Sequence, residues 1–135
     1  MSDGEGDVVD FDAEAVLEAA QGAAGERSVF SCVVYDDTDF ETVYVDDRIQ
    51  ATYDDEAARE EHFGQIHSYV HLDFTEMELF RELFREPGSI RAFVTYMDAF
   101  VAVRIVAEKQ GVFLSVAPGA PVTDLVDAVE DVLER

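Results

Sequence analysis

The spacing of apolar residues changes period several times along this chain, and each change marks a boundary between elements. Ala13, Val16, Leu17, Ala20 and Ala24 recur at helical spacing, with Asp12 placed to cap the first turn and Gly22 or Gly25 to end it. Residues 28–35 alternate around Phe30, Cys32 and Val34, residues 36–39 supply turn chemistry, and residues 40–45 alternate again, which predicts a hairpin. A helical pattern then runs over 54–72 through Ala58, Phe63, Ile66 and Val70, while 46–53 carries no readable period. The next helix is predicted to begin at Thr75: Thr75 and Glu78 stand as a capping box, Phe74 and Leu79 as a hydrophobic staple. It would turn Leu79, Phe80, Leu83 and Phe84 toward the core and stop at Pro87 and Gly88.

Three strands are predicted over 89–96, 99–106 and 112–116, joined by connections short enough for antiparallel hairpins. After Pro121, the residues Val122, Leu125, Val126, Val129, Val132 and Leu133 form a helical stripe with acids on the other side. The order is helix, two strands, two helices, three strands, helix. Most connections are too short for parallel crossovers, so the fold class is α+β, an antiparallel sheet with helices packed on it. A chain of 135 residues suits one core; residues 1–11, rich in Gly and acid, are expected to be a flexible tail and 12–135 a single domain.

Charge adds the environment. The chain holds 31 Asp and Glu against 9 basic residues, only Lys109 being lysine, for a net charge of -22. In dilute buffer such a charge pushes a small body apart; near 1 M salt, with a screening length of about 3 Å, it becomes tolerable. The acids interleave with apolar residues, as Glu76, Glu78 and Glu82 do among Met77, Leu79, Phe80 and Leu83, so they coat a folded domain rather than form a tail. A halophile's cytoplasm is the expected setting. The same charge excludes nucleic acid and an anionic membrane as partners, because phosphate recognition needs clustered Lys and Arg. Residues 1–12 lack the basic start and apolar stretch of a signal peptide, and no run of 18 apolar residues occurs.

Candidate chemistry is sparse. His67 and His71 stand four apart in one predicted helix, a spacing that suits a metal, but Ser68 occupies the place where a zinc-protease helix needs Glu. They are weak metal candidates, and the expectation is no metal and no cofactor. Asp37, Asp39 and Glu41 open like a calcium loop, yet Thr42 and Arg48 stand where Gly and a bidentate Glu belong. Cys32 reads as a small buried hydrophobe, no serine has a Gly-flanked elbow, and Gly22–Gly25 lacks the phosphate-loop ending. With no activated nucleophile or acid-base pair assembled, the chain is expected not to be an enzyme.

The element order resembles the roadblock (dynein light chain seven) layout and, almost equally, the profilin-like and PAS layouts, over roughly residues 12–135. That resemblance implies five strands in the order 2-1-5-4-3. Two central helices where the roadblock pattern has one long one raise the PAS-like alternative, a sensor enclosing a small molecule. The stretches Tyr44, Val45, Asp46 and Asp47, then 71–84 and 95–106, also resemble small acidic haloarchaeal proteins, a family that implies no activity. The roadblock likeness implies a homodimer formed at a strand edge and neighbouring helix, by element order the strand 89–96 and the central helices. Arg91, Phe93 and Thr95 on that strand are the candidate interaction surface. The function expected is a regulatory or scaffolding module for another protein.

Overall fold

The computed structural model describes residues 8–85 and 87–134, apart from the side chain of His71. Asp12 caps α1 (Ala13–Ala24) by accepting from the Ala15 N–H at 3.1 Å, and Gly25 closes it with φ 96°, a left-handed value open to glycine. A single 3-10 turn, Glu26–Ser28, feeds β1 (Val29–Asp36). In the turn to β2 (Phe40–Val45), Asp36 Oδ1 accepts from the Thr38 N–H, the Thr38 hydroxyl and the Asp39 N–H at 2.8, 3.0 and 2.7 Å. One carboxylate thus holds the hairpin, and the calcium-like spacing of Asp37 and Asp39 reflects this turn.

The stretch without a period forms a short helix, α2 (Asp47–Gln50), capped by Asp46. Asp55 then caps α3 (Glu56–His67), accepting from the Ala58 N–H at 2.8 Å. The chain reverts to helix as α4 (Val70–Leu83), followed by β3 (Ala92–Tyr96), β4 (Val101–Ala107), β5 (Gln110–Val116) and α5 (Val122–Leu133). The five strands form one sheet in the order β2-β1-β5-β4-β3, every pairing antiparallel, as the element order implied.

Alternation divides the sheet into two unlike faces. Cys32 and Val34 of β1, Val103 and Ile105 of β4, and Val112 and Leu114 of β5 point to one side, where α1 and α5 lie over them with Val16, Ala20, Leu125 and Val129. All of these are fully enclosed. Each such aliphatic residue contributes about 1.5–3 kcal/mol, so this layer carries most of the stability. Val9 belongs to it at 2% exposure, with Val8 and Phe11 packed alongside. Val8, Val9 and Phe11, expected within the tail, thus pack at the rim of the core; residues 1–7 lie outside the described residues.

Three further expectations change. No helix starts at Thr75; α4 is already helical from Val70, and the chain breaks instead at Ser68 and Tyr69. The capping-box signal is overruled by an inward ridge of Val70, Asp73 and Met77, spaced for one helix face and all buried. Leu79, Leu83 and Phe84, expected in the core, are exposed. The third strand begins at Ala92 rather than 89; just before it, the Arg91 carbonyl still accepts from the Val106 N–H of β4 at 3.1 Å, while its guanidinium binds α5 through Asp127 at 2.6 Å and Glu130 at 2.8 Å.

Candidate functional site

The second face of the sheet is where the chemistry lies. Val33, Tyr35, Phe93, Thr95, Ala102, Arg104 and Phe113 share it by strand register, and α3 and α4 stand over it without closing onto it. Between sheet and helices is a cavity of about 480 Å³, partly open, with Phe63, Ile66, Val70 and Met97 among its apolar walls. Two buried polar side chains interrupt those walls.

The first is Tyr35, 4% exposed, whose hydroxyl has no hydrogen-bond partner among the described residues. Its ring lies across Gly111, its register partner on β5, where a Cβ would stand 2.5 Å from the Tyr35 Cζ. Only glycine leaves room for the ring. Burial, then the nearby Asp73 carboxylate, raises the pKa of the phenol, and the hydroxyl keeps its proton. The second is Asp73, 2% exposed on α4, which Arg104 of β4 binds in an ion pair. Burial raises the Asp73 pKa against the pull of Arg104. The guanidinium also lies over the Phe93 ring, 5.3 Å from its centre.

His67 ends α3 between the rings of Tyr35 and Phe40, and its Nε2–H donates to the Asp36 carbonyl at 2.8 Å. That bond ties α3 to the β1–β2 turn. The break at Ser68 and Tyr69 separates His67 from His71, so no single helix presents both, and the His71 side chain lies outside the described residues. Among the described residues no group of three His, Cys, Asp or Glu is placed to hold a metal.

Of the three strand residues named from the sequence, the structure does not make one surface. Arg91 is bound to α5; Phe93 sits under Phe80 of α4, ring centres 6.4 Å apart; Thr95 lies on the cavity wall. The exposed apolar residues are others. On β3, Val94 and Tyr96 are exposed, Tyr96 at 68%. On the central helices Tyr69, Leu72, Leu79 and Leu83 fall within a sector of about 80° at helical pitch, with Glu76 the acid among them. Tyr69 and Met97, both exposed, line the cavity mouth from the helix side and the strand side, so stripe and edge meet there.

Sequence reasoning missed the Asp73–Arg104 pair, though a signal existed. Arg104 is a lone charge inside the alternating run of β4, and Asp73 a lone acid on the inward ridge of α4; two inward charges of opposite sign ask for each other.

A sheet in this order, with two helices on one face and the central helices on the other, is similar in fold to a solved roadblock domain. A crystal structure of a roadblock/LC7 domain from Streptomyces avermitilis aligns with this chain at a TM-score of 0.54, with 10% sequence identity, over 88% of this chain and 89% of that one. Residues 3–134 match the family described as domain of unknown function DUF7522, and the chain belongs to that family. No curated protein matches it. Among the described residues no helix is long and apolar enough to cross a membrane.

Proposed function

We propose that this chain is a non-enzymatic interaction module that works as a homodimer in concentrated salt, in the cytoplasm of a halophilic organism, and presents its paired surface to another protein. The observation that carries the reading is the border formed by β3, a strand without a carboxylate, and the exposed apolar stripe of the central helices. In a chain with 31 acids, the edge strand Ala92–Tyr96 carries none, and the exposed Tyr69, Leu72, Leu79 and Leu83 run beside it. The opposite edge, β2, carries Glu41.

A second copy is the occupant that fits. An unpaired antiparallel edge is its own complement across a twofold axis, joining two sheets into one. Two bodies of charge -22 repel, and they meet at least cost along a border where carboxylates are few. The potential nucleophiles support a non-enzymatic role: Cys32 is buried with its thiol pushed up to about 12, and the Ser31 and Ser115 hydroxyls are buried against each other at 2.5 Å.

Light scattering behind size exclusion in about 2 to 3 M KCl tests the dimer, with the salt screening the charge. The expected result is twice the monomer mass at micromolar concentration, falling toward the monomer as salt is removed, and a monomer for Leu79→Glu combined with Tyr96→Lys. A wild-type chain that stays monomeric throughout overturns the reading.

A further inference from the structure

The geometry points to a second role for this domain: the cavity between the sheet and α3–α4 is a binding site for an uncharged, mainly apolar small molecule of one or two rings carrying a hydroxyl or carbonyl. The inference stands apart from the dimer, because it rests on the buried wall rather than on the exposed border.

Size sets the first limit. A volume of about 480 Å³ is that of a small-molecule site, and walls such as Val33, Phe63, Ile66, Val70 and Phe113 favour an apolar guest. Charge sets the second. The buried carboxylate on the wall, Asp73, is already paired with Arg104, so an ion entering here would lose its water without gaining either as a free counter-charge. Tyr35 sets the third. Its hydroxyl is buried, protonated and unpartnered among the described residues. A polar group held out of water is costly unless something bonds to it. Gly111 leaves room for the ring in this position at the cavity wall, so the unmet hydroxyl is built into the sheet.

His67 adds a second polar group to the wall. Because its Nε2–H is given to the Asp36 carbonyl, the ring keeps Nδ1 for whatever lies on its other side. A hydroxyl guest can therefore both accept from Tyr35 and donate elsewhere.

The test uses 2-naphthol as probe, with naphthalene lacking the hydroxyl and 2-naphthoate carrying a charge, each titrated into the full chain in concentrated KCl and followed by fluorescence and methyl NMR. Saturable binding of 2-naphthol, one per chain, with shifts at Val33 and Val70 is expected, and weaker binding of 2-naphthoate. Ala102→Phe, which fills the cavity from the sheet, abolishes it; should that variant not fold, Thr95→Trp narrows the mouth from the exposed edge strand and weakens it. Tyr35→Phe weakens 2-naphthol about tenfold, equivalent to about 1.4 kcal/mol, and leaves naphthalene unchanged. The proposal is overturned if 2-naphthol does not saturate, if it binds the folded filled-cavity variant as well as the wild type, or if shifts fall on Leu79 and Leu83. Since binding is read per chain and dimerisation by mass, failure of either proposal leaves the other legible.

Discussion

Asp73 on α4 and Arg104 on β4 form the one ion pair that reaches from a central helix to the middle of the sheet among the described residues, with the carboxylate enclosed and the guanidinium partly exposed. Replacing Arg104 by Leu strands a buried charge. The expected cost is about 2–3 kcal/mol at neutral pH, by denaturant unfolding, and the double variant Asp73→Leu with Arg104→Leu recovers most of it. The pH dependence has a definite sign. With Arg104 gone, burial and Glu76 raise the folded-state pKa of Asp73 further above its unfolded value. The folded state then holds the proton more tightly, so the single variant regains stability as pH falls through that window and loses it as pH rises. A variant as stable as wild type at neutral pH would contradict the pairing.

Gly111 is predicted to tolerate no side chain. Gly111→Ala places a methyl against the buried Tyr35 ring and costs about 1–3 kcal/mol by overpacking. Adding Tyr35→Val removes the clash, so the pair loses less than the sum of the single changes in a double-mutant cycle.

The β1–β2 turn hangs on Asp36. Burial alone would raise its pKa, but the N–H groups of Thr38 and Asp39, the Thr38 hydroxyl and His67 outweigh that, and the net direction is down. Its stabilisation is therefore present above the unfolded carboxylate pKa and lost as pH falls through the lowered folded value. Asp36→Ala is expected to destabilise by about 1–2 kcal/mol at neutral pH and to flatten the acid limb of the stability curve.

Cys32 is enclosed between α1 and the sheet, its thiol held protonated by burial and by Glu14. A disulfide reagent at pH 8 should label the native chain no faster than the chain unfolds, and denaturant should raise the rate steeply. Rapid labelling of folded protein would mean that the α1–α5 layer opens locally.

Much of this architecture could be read in the residues. The caps at Asp12 and Asp36–Asp39, the alternation of β1, β4 and β5, and the apolar stripe of α5 are local signals; the short joins fix three of the four pairings, while the β1–β5 pairing is implied only by the resemblance in element order. The central segment could not be read in the same way. At Thr75 a correct local rule lost to a tertiary pairing, and Leu79 and Leu83 read as inward because an exposed leucine at helical spacing has the same pattern as a buried one. The cavity was invisible for a further reason: an empty volume depends on how far α3 and α4 stand from the sheet, and the spacing of residues along a chain does not encode that distance.

The two sides of the sheet differ in how they hold their cover. Beneath α1 and α5, aliphatic side chains interlock without a gap; beneath α3 and α4, a few rings, one ion pair and one imidazole bond brace a hollow. Heat or a guest will thus act first on the braced side, while the interlocked side keeps its shape. The braced side is therefore expected to exchange its amide hydrogens before the interlocked side does.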